Sequence, residues 1–380
     1  MSQLQPTAPQ PGEPNLLDTE TEADLRTVVR DLLAERCDPI AAVAVYDGDH
    51  SITAPLWKAL AVELGLAGLL VPEDRGGAGA SAREVAVVME ELGRAVAPVP
   101  FLTSSVVAVT TLLAAPVGGP ADGLIASLAA GETTAALLLP LATAPGAETS
   151  GLTVDADGRI SGRVTSVGGA VEADVLLAPV TTPEGTAVYA VPAREAVVEP
   201  VSSLDMTRRL GDVTLDGVAG ELLLPPESGA AAVRRGLETG AALLASEQVG
   251  VARWCLATTV AYLKDRRQFG RVVGGFQALK HRVADLYVAV ESASAAASYA
   301  AAAVAEDHPD RLVATAVAQA WCSDVAVRTA EEAIQLHAGI GMTWEHPVHL
   351  YLKRAKADQI VFGTPGLHRA QLGGLVGLVG

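Results

Sequence analysis

Few side chains in this 380-residue chain are of a type and setting suited to acid–base chemistry. Glu247 sits in the apolar run LLASEQVG. An apolar setting raises a carboxyl pKa toward the range of a general base. The competing reading is a helix acid paired with Arg253 or with another helix. Five histidines (His281, His337, His346, His349 and His368) lack Asp, Glu or Cys partners at ligand spacing, so no metal site is expected. No Ser/His/Asp arrangement stands out. DRGGAGAS, residues 74–81, is Gly-rich but lacks the Lys-Ser/Thr ending of a phosphate loop. Cys37, Cys255 and Cys322 are far apart and read as free thiols in a reducing cytoplasm.

The elements that must position these residues follow from texture. Half of the chain is hydrophobic and 19% is charged, ample for a large core and two or three structural units. The net charge of −17, with no basic stripe visible, argues against nucleic acid as a partner. The N-terminus has neither a basic nor an apolar signal region. The apolar runs look too short or interrupted to span a bilayer. A cytoplasmic, soluble protein without membrane association is the expectation. Residues 1–15 read as disordered. Residues 16–132 read as a helical domain: Leu25, Val28, Val29, Leu32 and Leu33 share one helix face, and Ser81 is a candidate N-cap. From residue 133 to 226, short apolar runs alternate with turn signals, including the hairpin dipeptide Asp157-Gly158. An antiparallel β domain is the natural reading. Residues 227–380 read as long Ala-rich helices of a four-helix bundle, the first with one break. The fold class is therefore mainly α with a central β domain. The chain has no βαβ alternation and no GxGxxG, so any dinucleotide is bound without a Rossmann unit.

That layout, with DRRQFGRVVGGFQALKHRVADL (265–286), QLHAGIGMTWEHPVHLYLKRAK (335–356) and DQIVFGTPGLHR (358–369), resembles the acyl-CoA dehydrogenase family. The resemblance covers almost the whole chain. It implies the acyl-CoA dehydrogenase fold and an FAD held between chains, with an acyl-CoA as substrate and electron-transfer flavoprotein as acceptor. In this family the flavin does the hydride chemistry while a Glu takes the substrate's α-proton. By the same resemblance, Arg266 matches the Arg that pairs with the FAD pyrophosphate, where a guanidinium fork suits phosphate. Gln268 and Phe269 match neighbouring contacts, and Phe276 and Gln277 a second group. Gln335, Leu336, His337, Ala338 and Gly339 match the family's Q-x-x-G-G turn, with Ala338 in place of the first Gly.

The positions that would hold the flavin ring depart from the family. TAPGAETS, residues 143–150, is the nearest match to the loop [ST]-E-P-x-x-G-[ST]-D, with Ala144 for the Glu and Ser150 for the Asp. Where the family has Trp followed by Ser or Thr, this chain has Ser166 and Val167, and no Trp lies between Trp57 and Trp254. Both family base positions are empty of acid. Phe362 stands before Gly363, and Gly240 stands ten residues before the helix Gly250. Glu247, two turns on from Gly240, is the low-ranking substitute; Glu238 points elsewhere.

An intact adenine end, a lost ring end and two missing bases resemble the non-catalytic chain of heteromeric α2β2 acyl-CoA dehydrogenases of bacterial steroid side-chain degradation. Phe362 then marks a vacated pocket in a chain that completes the FAD site of a catalytic partner. Two rivals stand beside this expectation: a homo-oligomeric dehydrogenase using Glu247, and a flavin-free structural or regulatory paralogue.

Overall fold

The computed structural model describes residues 15–147 and 151–378. The expected N-terminal disorder, apart from residue 15, and Ser150 lie outside that range. The chain opens with α1 (Glu20–Arg36), α2 (Pro39–Val43), α3 (Thr53–Trp57), α4 (Ala82–Ala95), α5 (Val109–Leu112) and α6 (Asp122–Ala129). Thr19 and Ser81 cap α1 and α4, each within a capping box completed by Glu22 or Glu84. Each box satisfies N-terminal N–H groups that have no helical partner. On α1, Val29 and Leu33 are buried, but Val28, at the edge of the apolar arc, is 49% exposed. Two π-helical stretches, Lys58–Glu63 and Phe101–Ala108, were not legible as such. The second is buried at every residue.

Eight strands follow: β1 (Ala135–Leu137), β2 (Leu152–Val154), β3 (Arg159–Gly168), β4 (Val175–Thr182), β5 (Gly185–Pro192), β6 (Val197–Val201), β7 (Leu210–Ala219) and β8 (Glu221–Leu224). They form two four-stranded sheets, ordered β1-β4-β5-β8 and β2-β3-β7-β6. Ala136, Leu138, Ile160, Leu176, Val180 and Val213 belong to the core they share. Gly158 turns β2 into β3 at φ +75°, as the Asp-Gly dipeptide led one to expect. The sheets are not wholly antiparallel, because β1 runs parallel to β4.

The bundle comprises α7 (Pro226–Asp265), the short β9–β10 hairpin (Arg267–Gln268 and Arg271–Val272), α8 (Gln277–Ala305), α9 (Arg311–His337), α10 (Val348–Asp358) and α11 (Pro365–Leu375). The 40-residue α7 is continuous, so the expected break is absent. It crosses α4 at two glycines. A Cβ on Gly93 would lie 2.1 Å from the Glu247 carbonyl oxygen, and one on Gly250 would lie 1.9 Å from the Glu90 carbonyl oxygen. Only glycine lets the two backbones approach so closely. One expectation about apolar runs needs correcting. The 29-residue α8 is long and apolar enough to cross a membrane, with a mean hydropathy of 1.3 over its best window. Ala293, Ala297, Ala300 and Ala303 join the core formed with α7 and α9, which is the burial pattern of a bundle helix.

Candidate active site and cofactor-facing surface

The sequence departures come together in space. Phe362 is 2% exposed and adopts φ +56°. Its ring lies against Gly240: a Cβ there would be 2.9 Å from Cε2 and 3.0 Å from Cζ. The two positions at which the family resemblance looks for a base are thus in mutual contact. The Phe362 amide donates to the Leu141 carbonyl at 3.0 Å, and the Leu141 amide donates to the Ser166 carbonyl at 3.0 Å. A Cβ on Gly363 would lie 3.0 Å from the Cβ of Ala144. The His368 Nε2–H donates to the Phe362 carbonyl at 3.0 Å. Phe362 therefore fills its pocket, which corrects the expectation of a vacated one. The cavity directly against Phe362, lined by Thr103, Val107, Leu139, Leu141, Leu237 and Phe362, measures about 20 Å³, and a separate one of about 680 Å³ lies between Gly146, Ala147 and Leu237 without touching Phe362. The former is room for about one water, against the roughly 300 Å³ and upward of an organic ligand pocket. The residues around Phe362 do not fit a flavin ring or an acyl chain.

Glu247 is 2% exposed and fully engaged. Arg208 donates to its Oε1 at 2.5 Å and its Oε2 at 2.7 Å, and Arg354 donates to Oε1. The expected partner, Arg253, instead bonds Glu90 and Ser294. Glu247 does not line the small cavity beside Phe362. Around Glu247 the loop between β6 and β7 supplies Asp205, Thr207 and Arg208, while α10 supplies Arg354 and Asp358. Arg354 donates to Asp205 and, at 2.6 Å, to the Thr207 hydroxyl. Arg208 also pairs with Asp358. Burial alone would raise the Asp205 pKa, but Arg354, the Thr207 hydroxyl and Arg208 bring it below the usual carboxylate range. Asp358 goes the other way, to about 7, because burial and the neighbouring Glu247 outweigh the attraction of Arg208. Apart from Glu247, sequence reasoning missed this network. The available signal was Arg354 and Asp358 four residues apart on one helix, but their partners in the β6–β7 loop are about 150 residues away.

The other end of the bundle is open. Arg266 caps α7 and is exposed, as are Arg267, Gln268, Gly270 and Arg271. Phe269 is 91% exposed at φ +52°. Its ring meets Phe276 edge-on at 6.2 Å, and the Arg271 guanidinium lies 3.8 Å over the Phe276 ring. Six of the 27 Lys and Arg residues fall between 264 and 282, against one acid before residue 285. Among the described residues, Arg266, Arg267 and Arg271 make no ion pair to a carboxylate, whereas Arg282 pairs with Glu332. Unpaired guanidiniums beside the exposed Phe269 ring and the half-buried Phe276 ring fit the phosphates and planar base of a dinucleotide. Gln277, Gln335, Ala338 and Gly339 are likewise exposed. Ala338 holds φ +54°, ψ −134°, a conformation that favours glycine and explains the family preference there. Leu336 and His337 are buried, so neither presents a side chain to a ligand. Instead, the His337 Nδ1–H donates to the Ala333 carbonyl at 2.7 Å, and burial lowers its pKa.

Comparisons with known proteins agree with this architecture. The acyl-CoA dehydrogenase N-terminal domain family matches residues 19–117, and the C-terminal domain family matches residues 227–374. The chain is 35% identical to acyl-CoA dehydrogenase IpdE2 of Mycobacterium tuberculosis, over 90% of this chain and 92% of that protein. It is 36% identical to acyl-CoA dehydrogenase FadE34 of the same organism, over 89% of this chain but 45% of that protein. Among solved structures, the M. tuberculosis ChsE4–ChsE5 complex aligns with a TM-score of 0.84 at 26% identity, covering 96% of this chain and 100% of the matched one. The chain belongs to the acyl-CoA dehydrogenase family.

Proposed function

We propose that this chain is the non-catalytic subunit of a hetero-oligomeric acyl-CoA dehydrogenase, and that it completes the FAD site of a homologous catalytic chain. The observation that carries this reading is the contrast between the two ends. Phe362 is packed onto Gly240 with about 20 Å³ left beside it, while Arg266 and Phe269 stand open to a neighbour. FAD supplies hydride acceptance when bound. In this reading Arg266 holds the pyrophosphate, Gln268, Phe269, Phe276 and Gln277 position the adenine end, and the turn from Gln335 to Gly339 lets backbone approach it. Glu247 serves structure, because both of its oxygens are bonded to arginines. The base belongs to the partner chain.

Two likenesses support a pair of unlike chains. ChsE4–ChsE5 is a complex of two named chains. A Tcur3481–Tcur3483 steroid acyl-CoA dehydrogenase aligns at 30% identity with a TM-score of 0.82, over 94% of this chain and 98% of the matched one. The steroid acyl-CoA dehydrogenase likeness supports a steroid-derived CoA ester as the substrate class, while electron-transfer flavoprotein as acceptor and the α2β2 assembly rest on the family resemblance.

The test is to purify the chain alone and together with a neighbouring acyl-CoA dehydrogenase gene product. Co-purification with about one FAD per two chains is expected, and Arg266→Ala should strip FAD from that complex. A lone chain that is yellow and oxidises an acyl-CoA would refute the proposal and revive Glu247 as base. Unchanged FAD occupancy in Arg266→Ala would remove that residue's assigned role.

A further inference from the structure

The buried charge network is unbalanced. It contains three carboxyls, from Asp205, Glu247 and Asp358, and two guanidiniums, from Arg208 and Arg354. Arg208 is about nine-tenths buried, and the other four are no more than 2% exposed. If all five ionised, a net negative charge would be sealed away from water, which is costly. The hydrogen bonds show the same deficit. Asp205 accepts from Tyr46, Thr207 and Arg354, and both oxygens of Glu247 are occupied. Asp358 Oδ1 takes Arg208, but its buried Oδ2 has no donor. Gln248 and Gln319 donate to the carbonyls of Asp358 and Val361 at 3.3 and 3.1 Å, and each leaves its own side-chain oxygen without a donor. The site has spare acceptors and is short of a donor.

We propose that this network is a one-proton clamp: it holds a proton on Asp358 while it ties the β6–β7 loop to α7 and α10 and fixes the segment that carries Phe362 in its pocket. The covalent chain supports the coupling. Asp358 ends α10, its carbonyl receives the Val361 amide at 3.3 Å, and the next amide, from Phe362, reaches Leu141. The charged and titratable groups facing Asp358 are few. Arg208 and Asp205 come from the loop, Glu247 from α7 and Arg354 from α10. Beyond them lie the Tyr46 hydroxyl on Asp205 and the Cys37 thiol near Arg354. Lys353 stands at the rim, its ammonium over the Tyr46 ring. From α9, Gln319 and the Ser323 hydroxyl, which accepts from Gln248 at 3.0 Å, are uncharged, while Asp324 lies farther out, bonded by Gln359 and paired with Arg369.

The sign of the pH effect follows. Asp358 has a folded-state pKa of about 7, raised above its ordinary value near 3.8. Between those values the native chain holds the proton and the unfolded chain does not. The stability this proton contributes is fully present below the ordinary value, declines as pH rises, and is gone above about 7.

Infrared difference spectra of the full-length chain against Asp358→Asn test the clamp. A protonated-carboxyl band is expected in the wild type at pH 6, fading as pH rises through about 7 and absent from Asp358→Asn. Glu247→Gln removes the surplus negative charge, so the pH 6 band should shrink there too. This second variant carries the test if Asp358→Asn does not fold. Hydrogen exchange across residues 358–363, corrected for intrinsic rates, should speed up severalfold from pH 6 to 8 in the wild type but not in Asp358→Asn. No wild-type band at pH 6, a band that survives Asp358→Asn, or an undiminished band in Glu247→Gln would overturn the protonation. Equal exchange in wild type and Asp358→Asn would overturn its link to Phe362.

Discussion

At the residue scale, Phe362 and Gly240 act as a complementary pair. In a family that places an acid at one or other position, a large ring at the first requires a missing side chain at the second. A Cβ on Gly240 would meet Phe362 at 2.9 Å and Val107 at 2.8 Å. Gly240→Ala should therefore destabilise by about 1–3 kcal/mol through overpacking, more than the roughly 1 kcal/mol gained in helix propensity. Phe362→Ala should cost about 3–5 kcal/mol. Combined, the two should cost less than their sum by about 1 kcal/mol or more. Denaturant unfolding of all four proteins measures that coupling, and strict additivity would mean that the ring and the glycine do not share the site.

At the element scale, α7 serves two purposes. Its middle third passes α4 at Gly250, and its end delivers Arg266 to the surface. The crossing tolerates no side chain, because a Cβ on Gly250 would be 1.9 Å from a backbone oxygen that cannot rotate away. Gly250→Ala should lose more than about 3 kcal/mol, despite improved helix propensity. Thermal unfolding would show it, and a neutral outcome would mean that α4 and α7 can separate freely. The open hairpin after α7 obeys the opposite rule. Phe269 at 91% exposure contributes little to the fold of this chain; in the proposed assembly a neighbouring chain covers it.

At the scale of the whole molecule, the chain leaves apolar side chains uncovered on three bundle helices. Tyr287 and Val288 on α8, Trp321 on α9 and Leu367 on α11 are 57%, 67%, 40% and 56% exposed. Large exposed apolar groups of this kind are candidates for association with another chain. Val288→Asp should leave the thermal transition of the separated chain within about 0.5 kcal/mol of wild type while weakening assembly with the proposed partner chain. Light scattering of the co-purified complex reads the change. An unaltered mass at micromolar concentration would place the interface elsewhere.

The helical, β, helical layout was legible because hydrophobic period and turn chemistry are local properties of the chain. The segment proposed to face the cofactor was legible as a motif for a similar reason, since Arg266 to Gln277 is a contiguous stretch in which Arg266, Gln268, Phe269 and Gln277 are exposed. Ala144, Ser166, Gly240 and Phe362 were each recognisable as departures. What the sequence left open was what had taken the place of the missing groups. The answer depends on contacts spanning more than a hundred residues, such as Phe362 to Leu141 and Arg208 to Asp358. The tertiary structure alone decided that Phe362 fills its pocket, and that Glu247 is paired with Arg208 and Arg354. A carboxylate in an apolar helix reads the same in sequence whether it is unpaired or salt-bridged, because the cations that pair with it are contributed by distant elements.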